Sequence, residues 1–311
     1  MGKDSRKRLR GSLLDDRIAV LAGAHDGLSA RLVEEAGFDG VWASSFGISL
    51  ASRCVADVDL VTMTETVDIV RRMVDATDLP IMVDGNSGFG NAVNVIHMTR
   101  LLEGAGAAGV CIEDNQYPKR CSLYDRENRE LVTAEEMAGK IRAVVDTRQD
   151  PDFLVIGRIE SLIANEGLEA AWHRAESYAA AGADAIVVHA KSFPPLKEFL
   201  AGWKGSCPLV AIPTLYNQVS LDDLTAYGYR LAIFPNQSIR AAIQAMRSTL
   251  ETLRRTGVGN SVDEATVPLT DIYELVRLGA IEAAEREYIP APTGGAGPRQ
   301  VPAGQVASSA K

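Results

Sequence analysis

The 311-residue chain has no apolar run approaching the length of a membrane span, and no hydrophobic core follows the short basic stretch at residues 3–10. Neither an anchor nor a secretory leader is expected, and a cytoplasmic location is. Cysteine is scarce: Cys54, Cys111, Cys121 and Cys207 lie far apart without CxxC spacing. That distribution speaks against a zinc site or a disulfide-stapled fold and for reduced thiols. Excess positive charge is also missing. The formal net charge is -9 and the basic residues beyond 3–10 are scattered, so neither nucleic acid nor a membrane surface is an expected partner. A small molecule is.

What the chain has is apolar residues, 46% of the total, enough core for one large α/β barrel or two smaller domains. A helix-to-strand junction recurs: EAGFDGVW at 35–42, GAGAAGVCIE at 104–113 and AAGADAIVVH at 180–189. Each reads as a helix tail, a glycine cap and a buried strand. Further apolar runs at 18–22, 81–83, 153–156, 209–212 and 231–234 bring the strand candidates to eight. Helical periodicity separates most of them, as at 64–74, 134–145 and 168–180. Strands that are apolar on both faces predict a closed parallel (β/α)8 TIM-type barrel over a doubly wound sheet. Residues 1–16 are expected as an N-terminal extension and residues 17–289 as the barrel, with a further helix over 269–288. The Gly-, Pro-, Ala- and Ser-rich residues 290–311 are expected as a flexible tail.

In such a barrel the active site forms at the C-terminal strand ends, where the polar residues are His25, Ser44, Asp84, Glu113, Arg158, His189 and Thr214. Asp84 opens a glycine-rich turn, and Glu113 with Asp114 ends the next strand. Carboxylates converging in a barrel mouth suit a hard divalent cation, Mg2+. The turn lacks the GxGxxG or GxxxxGK[ST] spacing of a nucleotide site. Arg158 ends an apolar strand and needs an anion, either a substrate carboxylate or a structural partner such as Glu160 or Glu113. Residues 115–125 lack hydrophobic periodicity and read as a long active-site loop. In it Lys119 and Arg120 favour the thiolate form of Cys121 if the loop closes over an anion, making Cys121 a candidate acid, base or nucleophile.

The segments AHDGLSARLVEEAGF at 24–38, WASS at 42–45, DGNSGFGN at 84–91 and DFLVIGRIE at 152–160 together resemble the phosphoenolpyruvate mutase and isocitrate lyase superfamily. HAK at 189–191 and NQSIR at 236–240 point to its mutase and phosphonopyruvate hydrolase branch. The likeness runs from about residue 17 to residue 286. It implies a barrel whose last helix is exchanged between subunits, giving a homodimer or homotetramer. It implies Mg2+ held directly by Asp84, with Asn86, Glu113 and Asp57 in the outer shell. The small 2-oxo-acid or enol-phosphate substrate would be held by Trp42, Ser44, Arg158, Asn236 and the backbone amides of Ser45 and Phe46. Asp57, Lys119, Cys121, Ser122, Arg158 and His189 are the implied catalytic set.

The resemblance thus implies interconversion of phosphoenolpyruvate and phosphonopyruvate, or a close analogue, through an enolate. In the mutases the loop reads EDKxxxKxNS, but here it reads EDNQYPKRCS. Asn115 replaces a lysine, and Cys121 replaces the asparagine that bonds the phosphoryl oxygens. The lyase loop reads K[KR]CGH, with cysteine as general acid, so this loop is a hybrid. The alternatives are a phosphonopyruvate hydrolase, suggested by Ser45-Phe46 and DVDLVTM at 57–63, a C–C lyase of the methylisocitrate type using Cys121, and a non-catalytic binding scaffold.

Overall fold

The computed structural model describes residues 2–122, 124 and 129–290. Eight parallel strands close into a barrel in the order β1 to β8. They are β1 (Ala19–Ala24), β2 (Gly40–Ala43), β3 (Ile81–Asp84), β4 (Gly109–Glu113), β5 (Leu154–Ile159), β6 (Ala185–Val188), β7 (Leu209–Ala211) and β8 (Tyr229–Phe234). The last pairs with the first, Ala19 opposite Leu231. All eight expected runs are strands, because each is buried on both faces: inward side chains such as Leu21, Trp42, Met82 and Ile156 fill the barrel, and outward ones such as Val41, Val83 and Val155 meet the surrounding helices.

Helices α1 (Gly2–Ser12), α2 (Gly27–Glu35), α3 (Ser45–Arg53), α4 (Met63–Ala76), α5 (Ala92–Gly104), α6 (Ala134–Thr147), α7 (Leu168–Ala180), α8 (Phe193–Gly202), α9 (Leu221–Ala226) and α10 (Gln237–Thr256) follow in chain order. The recurrent junction has a common geometry. Gly37, Gly106 and Gly182 stand at φ 78, 92 and 94 after α2, α5 and α7, the left-handed cap that lets the chain turn back into a strand.

Helix α1 falls in the segment expected to lie outside the barrel. Instead Leu9 and Leu13 are 2% and 3% exposed and join the side chains that fill the barrel. Arg6 donates to the carbonyls of Ala107 and Glu103, each at 2.8 Å, and to Asp150 at 3.0 Å. Its partners precede β4 and β5, so α1 stoppers the N-terminal end of the barrel, opposite the predicted site.

The chain divides into two compact units, residues 1–248 with the barrel and the remainder from Thr249. The described part of the second holds the end of α10, a short 3-10 turn (Gly259–Ala265), α11 (Leu269–Leu275) and α12 (Leu278–Tyr288). The single helix expected over 269–288 is thus two, because Arg277 adopts φ 54, ψ 40 and breaks the helical ladder. The expected tail lies, from residue 291, outside the described residues. No helix among the described residues is long and apolar enough to cross a membrane.

Candidate active site

Strand ends and loops at the C-terminal face line a small cavity. Twelve sequence-predicted residues line it: Trp42, Ser44, Phe46, Asp57, Asp84, Glu113, Lys119, Cys121, Ser122, Arg158, His189 and Asn236. Thr214 joins them. His25 does not: it faces a separate groove formed by α2 and the start of α10. Ser45 and Asn86 sit just behind the lining and make the contacts that orient it.

Asp84 ends β3, and its Oδ2 accepts the Ser45 hydroxyl at 2.8 Å. Its Oδ1 accepts the Asn86 N–H at 3.3 Å. The turn after Asp84 is held from below by Lys140, whose buried ammonium donates to the Ser87 carbonyl at 3.0 Å. Ser44 caps α3, its Oγ accepting the Gly47 N–H. The first amides of a helix have no acceptor within it, so those of Ser45 and Phe46, at the start of α3, are left as free donors of the helix end.

Lys119 crosses from the loop to this group. Its Nζ lies 2.9 Å from Asp57 Oδ2 and donates to Ser45 Oγ at 2.9 Å, with only 3% of its side chain exposed. Burial works against the ammonium, but Asp57, Asp84 and Glu113 outweigh it and hold Lys119 well above the ordinary lysine range. Its own N–H donates to Asp59 at 2.6 Å.

On the other side, Arg158 Nε donates to Glu160 Oε1 at 2.5 Å and lies 3.5 Å from Glu113 Oε2. Its Nη2 donates to Ser122 Oγ at 2.8 Å, and Ser122 in turn donates to Glu160 Oε2 at 2.8 Å. The structural partners entertained for Arg158 are therefore both present, while the residue still lines the cavity. Burial would raise Glu160, but Arg158 and His189 outweigh it and keep it a carboxylate well below the usual range. His189 Nδ1 lies 2.9 Å from Arg158 and 3.0 Å from Glu160. Burial lowers the imidazole and keeps it neutral, so Nδ1 serves one partner at a time and the buried Nε2 has no partner among the described residues.

A hard cation fits the acidic half. Burial pushes Glu113 up to about 7, and the buried Glu113 Oε1 and Asn86 Oδ1 have no hydrogen-bond partner among the described residues. These orphaned oxygens are acceptors in want of a cation or its water shell. Among the described residues no three His, Cys, Asp or Glu side chains could cage an ion alone. Asp84 with water in the remaining positions suits Mg2+, which keeps much of its hydration.

Glu160 enters the site as more than a partner for Arg158. It stands two residues beyond Arg158, the spacing that puts two strand residues on one face, so the sequence carried that signal. Asp59 had none, since it acts through a backbone group of the loop. Beneath the site, Asp114 accepts Tyr178 OH at 2.7 Å, Arg174 at 3.2 Å and the Glu160 N–H at 2.9 Å.

The chain is 36% identical over 284 residues to a phosphoenolpyruvate phosphomutase of Tetrahymena pyriformis, covering 91% of this chain and 94% of that protein. Its fold matches a phosphoenolpyruvate phosphomutase structure from Streptomyces platensis subsp. rosaceus with a TM-score of 0.89 at 40% identity, covering 92% and 100% of the two chains. A phosphonopyruvate hydrolase solved with oxalate and Mg2+ matches at 0.86 and 37% identity, covering 92% and 99%. Residues 10–254, which carry the barrel and every residue of the cavity, match the family as a unit, and the chain belongs to the phosphoenolpyruvate phosphomutase family.

Proposed function

We propose that this enzyme interconverts phosphoenolpyruvate and phosphonopyruvate, or a close analogue, by moving a phosphoryl group between the enol oxygen and C3 of a pyruvate enolate. The observation that carries this reading is the seating of Lys119: loop and barrel floor meet there, bringing Lys119, Cys121 and Ser122 to the same cavity as Asp57, Asp84 and Arg158.

Arg158 and the amides of Ser45 and Phe46 hold the oxo-acid and the negative charge of its enolate. Asp57 sits where it steers the transferring group, its own charge balanced by Lys119. Lys119 and Ser122 donate to the phosphoryl oxygens. His189 Nε2 faces the substrate as a neutral group. Mg2+ held by Asp84, with Asn86, Glu113 and Asp57 beyond it, would supply Lewis-acid stabilisation of the enolate. Cys121 replaces an amide donor by a weak thiol donor, which tunes the group the loop accepts.

Subunit exchange of the C-terminal helices, in a homodimer or homotetramer in the cytoplasm, belongs to the same reading. It is supported by the exposure of Leu269, Tyr273, Val276, Ile281 and Tyr288, each 48% or more.

Phosphorus NMR of the enzyme with Mg2+ and phosphonopyruvate tests the reaction. A phosphoenolpyruvate resonance is the expected result. Free phosphate instead would make the enzyme a hydrolase, and an unchanged spectrum would refute both.

A further inference from the structure

Arg129 stands on the far side of the loop from its catalytic residues, and none of the chemistry above uses it. Its side chain is nevertheless only 5% exposed. A guanidinium cannot shed its charge, so a buried one must be met by acceptors, and here the acceptors belong to the loop. Nη1 donates to the carbonyl of Arg120 at 2.6 Å and Nη2 to the carbonyl of Cys121 at 3.0 Å. Nη1 also reaches Asn115 Oδ1 at 3.5 Å and lies 4.0 Å from Glu160 Oε2. One planar fork thus ties the start of the loop to its tip, beside the carboxylate that accepts the Ser122 hydroxyl.

The carbonyls it grips belong to Arg120 and Cys121, on the stretch between Lys119 and Ser122. Fixing two consecutive peptide groups fixes the directions in which Lys119, Cys121 and Ser122 leave the backbone, and all three line the cavity. The departure at position 115 follows from the same contact. A lysine in place of Asn115 would bring an ammonium against the guanidinium, whereas the amide oxygen accepts from it.

We infer that Arg129 is a positioning residue: it clamps the peptide groups of Arg120 and Cys121, aims Lys119, Cys121 and Ser122 into the cavity, and requires a neutral acceptor at Asn115. The kinetic part of this inference rests on the proposed reaction, and the geometric part does not.

The test compares wild type, Arg129→Ala, Arg129→Lys and Asn115→Lys as full-length proteins. Iodoacetamide labelling of Cys121, buried at 7% exposure, is followed by peptide mass spectrometry, with the exposed Cys54 as internal control. Loss of charge-assisted hydrogen bonds should raise Cys121 labelling about tenfold or more in Arg129→Ala while Cys54 is unchanged. Arg129→Lys, which keeps the charge but not the fork, should fall between, and Asn115→Lys should resemble Arg129→Ala.

With phosphonopyruvate, kcat of Arg129→Ala should fall about tenfold or more with a smaller change in KM, as expected for misaimed rather than missing groups. Thermal unfolding of Arg129→Lys and Asn115→Lys keeps loop and global effects apart if the alanine variant does not fold. Labelling of Cys121 at the wild-type rate in the folded variants overturns the inference. A wild type without turnover, combined with raised labelling in the variants, would remove the proposed reaction and leave the clamp standing.

Discussion

Asp114 shows how far a single residue beneath the site is constrained. It is fully buried, with a hydroxyl, a guanidinium and a backbone amide as donors. Burial nonetheless outweighs Arg174, Tyr178 and the amide and pushes the carboxyl up from 3.8 to about 6. A carboxyl raised in the native state binds its proton more tightly there than in the unfolded chain. Its contribution to stability is full below about pH 4 and is lost as pH rises through about 6. Asp114→Asn cannot ionise and lacks this step. The stability of wild type relative to the variant, from urea unfolding of metal-free protein, should therefore drop by on the order of 3 kcal/mol between pH 4 and 6. A difference that does not vary with pH would show that Asp114 is ionised throughout.

At the scale of elements, the barrel uses its two ends differently. The C-terminal ends carry charged side chains that oppose one another across a small space. The N-terminal end is shut by α1, whose Leu9 and Leu13 complete the packing of the interior. Leu9→Ala leaves a cavity that neighbours fixed in a closed barrel cannot fill, and should cost about 2–5 kcal/mol in chemical denaturation. Because α1 lies at the end of the barrel away from the cavity, KM and kcat of the folded fraction should stay at wild-type values. A selective loss of kcat would contradict this division of labour.

At the scale of the whole molecule, the second unit cannot account for its own stability. None of the residues of α11 and α12 is buried, although Ile272 and Ile281 are 38% and 53% exposed apolar side chains. Helices of 7 and 11 residues are marginal in water without a packed face. Exchange with a second copy would bury them. The double substitution Ile272→Asp and Ile281→Asp should then shift the sedimentation coefficient from an oligomer to a monomer. An unchanged assembly would place the subunit interface elsewhere.

The periodicities of the chain determined the barrel. Eight apolar runs and three glycine-capped junctions are local features, and burial on both strand faces leaves few architectures. Most residues that line the cavity were legible for the same reason, since strand ends in a barrel converge. Asp84, Glu113, Arg158 and His189 could be picked by position alone and Lys119 and Cys121 by their place in a loop without periodicity, while Asp57 and Asn236 needed the family likeness. Tertiary structure decided the contacts that cross between elements. That α1 plugs the barrel, that Arg277 breaks the last helix, and that Arg129 grips two loop carbonyls depend on groups distant in sequence or on backbone atoms that every residue shares. No pattern of side chains encodes a hydrogen bond to a particular peptide group, so the course of the loop over the cavity emerges only when the chain is folded.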